Sequence, residues 1–246
     1  MKSLNTTSTP LQDMYGCYDI PLNLTEAGIE IKVERDQTGK TTYGRSGILG
    51  EVSKTIVSRE NPKVVICPVE PVNLPKRITR YLMIELDKEV LLGPKDEGTI
   101  DTGFPVEIGV FIAKKDKYSL IDVFSFTKQK FSLYGGVRDG IICRYWRSGP
   151  NLNKDKLVEG RLRLQVKNDT SDWIEIRKVV LDASEMKIVY SEDEVYSEAE
   201  MKILSRKVGE VRFRKPANGG TESIKLLKEM VVTAHQSKFI MEDGFK

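Results

Sequence analysis

Apolar and polar residues alternate along most of this chain with a period of two. Ile29, Ile31 and Val33 interleave with Glu30, Lys32 and Glu34. Leu162, Leu164 and Val166 interleave with Arg161, Arg163, Gln165 and Lys167, and Val211 and Phe213 with Arg212 and Arg214. Successive side chains of a strand point to opposite faces, so this pattern predicts strands with one face buried and one in water. Phe104, Val106, Ile108, Val110 and Ile112 predict one face of a longer apolar strand, and Leu120, Val123, Phe124 and Phe126 a further apolar run. Turn-forming clusters at 36–39, 135–136, 168–170 and 218–220 separate the runs. Short strands between frequent turns predict a mainly β chain packed as sandwiches rather than a βαβ fold.

One segment breaks the rhythm. Ile224, Leu227, Met230, Val231 and Ala234 fall at helical spacing after Gly219-Gly220, with Glu222 in the first turn. This predicts a single C-terminal α-helix over 221–235, followed by a short strand over 239–242. The polar stretch SGPNLNKDK at 148–156 separates two strand-rich regions. The expected organisation is a loose tail over 1–14, a sandwich-like unit over 15–150, and a second over 151–246 that carries the helix.

Composition narrows the function. Apolar residues make up 39% of the 246 residues, enough for a packed core. Lys and Arg total 39 against 36 Asp and Glu, and the charge divides evenly about residue 150, which argues against a dedicated nucleic-acid binder. No apolar run reaches the roughly 20 residues of a membrane helix, and the Ser/Thr-rich start lacks an apolar signal core. Cys17, Cys67 and Cys143 form an odd, scattered set without a CxxC pair. That suits a reducing cytoplasm and predicts no metal site. His235 is the single histidine, and on the predicted helix it reads as a C-terminal dipole partner rather than a catalytic base.

The catalytic signatures fail individually. Asp101-Thr102-Gly103 matches the aspartic-protease triplet, but that chemistry needs two copies, and the residues read as a turn before a strand. Gly44, Gly47 and Gly50 are spaced GxxGxxG rather than GxGxxG. The glycine pair at 93–98 lacks the lysine of a phosphate loop. Ser125-Phe126-Thr127-Lys128 fits SxxK, but on a strand-like run rather than one helical turn.

The remaining candidates are binding residues. In GIICRYW at 140–146, Ile142, Arg144 and Trp146 share a strand face, with Arg138 just before, a composition typical of recognition patches and also of a core strand. CPVEPVNLP at 67–75 is stiffened by three prolines and excluded from a central strand, and it could present Glu70 and Asn73 to a ligand or cross between sheets. Glu107 lies within the apolar strand. If its face is covered its charge needs a partner, and Arg144 is the expected one. The acidic run from Glu192 to Glu200 and the basic run from Lys202 to Lys215 would pair across a hairpin.

Three stretches, PVEPVNLP at 68–75, FPVEIGVFI at 104–112 and LYGGVRDGIICRYW at 133–146, together with MKIVY at 186–190, resemble an archaeal family of uncharacterised proteins known only as a domain of unknown function. The resemblance spans roughly residues 15–246. It implies an archaeal cytosolic origin and brings no activity, cofactor or catalytic residue.

The expectation is therefore a cytosolic, non-catalytic binding or scaffold protein that acts through protein contacts, with no cofactor. Glu70, Asn73, Glu107, Arg138, Arg144 and Trp146 are the binding candidates. Two rival readings stay open: a carboxylate-dependent hydrolase or carbohydrate-binding module using Glu70, Glu107 or Asp101, and a nucleic-acid binder centred on Arg144 to Arg147.

Overall fold

The computed structural model describes residues 13–58, 60–74, 76–115, 117–149, 155–206, 208–217 and 219–226, and the backbone of 239–241. In chain order the strands are β1 (Gly16–Tyr18), β2 (Leu22–Glu26), β3 (Ile29–Arg35), β4 (Lys40–Gly47), β5 (Val52–Val57), β6 (Lys63–Val69), β7 (Tyr81–Leu92), β8 (Glu97–Pro105), β9 (Glu107–Lys114) and β10 (Lys117–Phe124). They continue with β11 (Phe131–Tyr134), β12 (Ile141–Arg147), β13 (Glu159–Asn168), β14 (Ile174–Asp182), β15 (Ile188–Tyr190), β16 (Val195–Ser205), β17 (Val208–Arg214), β18 (Thr221–Glu222) and β19 (Phe239–Met241). The chain is mainly β, as the alternation predicts.

Two compact units divide the chain, Met1–Ile66 with Phe111–Ser119, and Cys67–Val110 with Leu120–Lys246. This is not a cut at residue 150. Strands from the two sides of that position pair with each other, β8 with β13 and β7 with β14, so backbone hydrogen bonds tie the two stretches into shared sheets.

In the first unit β2, β3, β4 and β5 form an antiparallel meander in chain order. Leu22 faces Val33, Leu24 faces Ile31 and Val33 faces Tyr43, and all five are buried. The period-two pattern thus fixes which face turns inward. The β3–β4 turn is tied by Asp36, whose Oδ1 accepts the N–H groups of Thr38 at 2.9 Å and Lys40 at 3.0 Å.

The second unit holds one sheet in the order β11-β12-β7-β14 and another in the order β18-β15-β16-β13-β8, with β17 on β16 and β19 on β17. Within the second sheet Leu162, Leu164, Val166, Ala199, Met201, Ile203 and Val211 are buried on one face. Arg163, Glu198, Arg214, Glu200 and Arg212 alternate with them onto the other.

Several expectations need correction. Thr221–Glu222 is strand β18, paired with Val189 and Tyr190, and 223–226 is irregular, so the helix over 221–235 does not begin there. The edge of β15 offers hydrogen-bond partners that outweigh the weak helical propensity of Thr221. Residues 227–235, His235 among them, lie outside the described residues. The short strand expected near 239–242 is β19. The apolar run 104–112 is two strands, because the chain changes sheets within it: β8 pairs with β13, whereas β9 belongs to the sheet of β6 and β10. Asp101-Thr102-Gly103 lies inside β8, not in a turn. Cys67, Pro68 and Val69 complete β6 despite the proline. The β1 partners stop at Ile66, so Pro68 forfeits no bond to β1.

Candidate functional site

β9 and β12 bring together two charges that the sequence separates by 37 positions. The Arg144 guanidinium donates through Nη1 to Glu107 Oε1, and the two side chains are 1% and 2% exposed. Burying charge is tolerated only with near-complete hydrogen bonding, and the surroundings supply it. Glu107 Oε2 accepts the backbone N–H of Asn73 at 3.2 Å, and Oε1 also accepts Gln129 Nε2 at 3.4 Å. Arg144 Nη2 donates to Thr127 Oγ1 at 3.0 Å. Burial pushes the Glu107 carboxyl up to about 6, while the Arg144 guanidinium and the N–H groups of Asn73 and Leu74 pull it down. Burial likewise lowers the Arg144 pKa against the pull of Glu107.

Asn73 organises the loop after β6. Its φ of 62° is left-handed, a conformation that asparagine adopts more readily than most residues. Its Nδ2 donates to the Thr79 carbonyl at 2.9 Å, and Thr79 Oγ1 donates to the Ile142 carbonyl at 2.6 Å. The loop is thereby fastened to β12. Glu70 is 3% exposed and accepts the Leu226 N–H at 3.1 Å through Oε2. Burial raises its pKa, with the Leu226 N–H opposing. Ser223 Oγ donates to the Pro68 carbonyl. Residues 223–226 therefore form a strap across 68–70.

Asn73, Glu107 and Arg144 thus belong to one buried network, and Glu70 sits under the strap. Trp146 is half-buried, and its indole N–H donates to Glu159 Oε1 at 3.2 Å. Arg138 is exposed in the turn between β11 and β12. Thr127 and Gln129 were not foreseen as parts of the network. Their alternation with Ser125 on a strand-like run is the only sequence signal for them. Ser125 Oγ donates to the Val106 carbonyl at 2.7 Å, which gives the SxxK match a structural reading.

What the network positions is the β11–β12 hairpin. Gly135, with φ of 92°, turns the chain, and Phe131 faces Arg144 while Leu133 faces Ile142. Arg144 is drawn inward by Glu107, but its neighbours on that face stay in water: Phe131 is 38% exposed, Leu133 44% and Ile142 53%, with Val137 at the tip 94%. Scattered single apolar residues on a surface need no explanation, whereas Phe131, Leu133 and Ile142 lie side by side on one edge hairpin.

The rival sites are occupied from within. Asp101 holds Arg161 at 3.2 Å and Arg163 at 3.5 Å. Arg214 pairs with Glu200, and Lys202 with Asp169 at 2.8 Å. The acidic and basic runs face each other across β16 and β17 as expected, Glu198 against Arg214 and Glu200 against Arg212. Among the described residues no group of three or more His, Cys, Asp or Glu could hold a metal ion. No helix among them is long and apolar enough to cross a membrane.

Residues 14–242 match the family described as "Protein of unknown function (DUF432)", and the chain belongs to that family. No curated protein and no solved structure matches the sequence.

Proposed function

We propose that this member of the DUF432 family is a non-catalytic binding protein of the cytoplasm that engages a protein partner through the exposed apolar residues of the β11–β12 hairpin. One observation carries the reading: Phe131, Leu133 and Ile142 stand exposed side by side on a hairpin held in place by a buried ion pair. Anchors that are rigid before binding lose little entropy on association. Three thiols free of disulfides suit the compartment. The carboxylates that a hydrolase would use support the same reading. Glu107 and Asp101 are held in ion pairs and Glu70 by a backbone N–H, rather than converging on a cleft. The arginines of the charged face alternate with acids, which disfavours the broad cationic field of a nucleic-acid binder.

The test places a photo-crosslinking residue at Leu133 and, as control, at Lys167 on the charged face. The reading holds if Leu133 captures a discrete protein saturably, Ile142→Glu abolishes the capture, and the Lys167 position captures nothing. It fails if Ile142→Glu leaves capture unchanged, or if both positions capture the same set.

A further inference from the structure

The hydrogen-bond phase of the hairpin says how the partner is held. The Tyr145 N–H donates to the Lys130 carbonyl at 2.8 Å. Hydrogen-bonded and non-hydrogen-bonded pairs alternate along an antiparallel ladder. Ser132 opposite Cys143 and Tyr134 opposite Ile141 are therefore the next bonded pairs. Phe131 and Leu133 occupy the intervening positions, so their N–H and C=O groups point away from β12. β11 ends its sheet, with no strand beyond it among the described residues. The residues that present apolar side chains thus also present the open backbone edge.

Edge strands are commonly defended by an inward charge, a proline or a bulge. Phe131-Ser132-Leu133-Tyr134 has no proline or charged residue, and its register with β12 runs unbroken. The charge lies around the edge instead. Lys128, Lys130, Arg138 and Arg147 are exposed on or beside the hairpin, against the exposed Asp139 and the half-buried Glu85, which lies beside Arg147 and accepts the Tyr145 hydroxyl, once Arg144 is neutralised by Glu107. Alternation puts Lys130 on the face of Ser132, opposite the face that carries Phe131 and Leu133.

We infer that β11 takes up an extended peptide of a partner protein as an added strand, and that this peptide alternates apolar with acidic residues. The apolar side chains lie beside Phe131 and Leu133, and the acidic ones lie on the other face beside Lys130. This rests on the reading that the hairpin is the binding surface and names the partner's chemistry there. Main-chain bonds to Phe131 and Leu133 supply the register, and the lysines choose acid over base.

The probe is a capped synthetic peptide of about seven residues alternating valine and glutamate. Binding to the full chain is followed by fluorescence anisotropy and by amide hydrogen exchange. The expected result is saturable binding, with new protection at the Phe131 and Leu133 amides and little change at Ser132 and Tyr134, which already lie in the ladder. N-methylation of the peptide amides that face β11 weakens binding about tenfold or more and leaves the protein untouched. Replacing glutamate by lysine abolishes it, and raising salt from about 0.05 to about 0.5 M weakens it. Crosslinking from Leu133 that is lost in Ile142→Glu, without peptide protection at Phe131 and Leu133, overturns strand addition and leaves the hairpin surface standing. Protection of these two amides by self-association in the absence of peptide overturns the partner chemistry in favour of a second copy. Loss of both the crosslink and the peptide binding overturns the two readings together.

Discussion

Gly160 faces the ring of Phe104 across the β8–β13 ladder, and the ring occupies the space where any side chain at 160 would begin. A Cβ there would lie 2.6 Å from Cε1 of a ring that is itself fully buried. The aromatic ring covers the glycine, and neither can yield without disturbing the core. Gly160→Ala is expected to destabilise the protein by about 1–3 kcal/mol, the usual range for overpacking. Gly98→Ala on the same ladder is the control, since its Cβ would meet nothing nearer than 3.6 Å. Thermal melts that show equal effects at the two positions would contradict this packing.

Breaking the Glu107–Arg144 pair from one side leaves a buried charge without its partner. Arg144→Met should cost about 3–5 kcal/mol in urea unfolding. Glu107→Met combined with Arg144→Met should be more stable than Arg144→Met alone, because the pair's desolvation cost disappears with the charges. Additive losses would mean that the two side chains are not coupled.

The same pair sets a pH dependence whose sign follows from burial. The Glu107 carboxyl has an ordinary value of 4.5 and is pushed up to about 6, so between these limits the folded chain binds more protons than the unfolded one. Stability contributed by Glu107 therefore falls as pH rises from about 4.5 to about 6, by about 2 kcal/mol, and is level above. Glu70, raised by burial, acts in the same sense. Asp36 and Asp169 are lowered from 3.8, by the Thr38 hydroxyl and by Lys202, so their stabilisation is lost only at more acid pH. Urea midpoints measured across this range should show the decline in the native chain and a shallower one in Glu107→Gln. Parallel curves would refute the assignment.

Why some of this was legible in the sequence and some was not follows from how locally each feature is encoded. The faces of β3, β13 and β17 could be read because alternation is a property of neighbouring residues. The Glu107–Arg144 pair could be anticipated because a carboxylate within an apolar strand demands compensation, and Arg144 lay on an apolar strand of its own. Thr127 and Gln129 could not, since they enter the network through tertiary placement. The strand at Thr221–Glu222 is illegible for the same reason: its hydrogen-bond partners, Val189 and Tyr190, lie some 30 residues away. The edge-facing phase of Phe131 and Leu133 depends on the register with β12, which hydrophobic pattern alone does not reveal.

Surface charge contributes little here. Asp101 and Arg163 are both 40% exposed at their side chains, as is usual for pairs in water. Asp101→Asn should change stability by less than about 1 kcal/mol. A loss comparable to that of Arg144→Met would show the charged face to be structural after all.

The three thiols are sorted by burial. Cys17 is exposed, whereas Cys67 and Cys143 are buried. Burial pushes the Cys67 thiol up to about 11 and that of Cys143 up to about 12. Alkylation needs the thiolate and a path to it, and both are denied to the buried pair at neutral pH. A thiol reagent should therefore modify Cys17 quickly in the native chain, and Cys67 and Cys143 only as the fold opens. Ser223→Ala removes the hydroxyl that fastens the strap to the Pro68 carbonyl, one residue from Cys67. It should speed modification of Cys67 while leaving Cys143 at its native rate. Equal acceleration at both positions would mean that the variant loosens the whole fold rather than the strap.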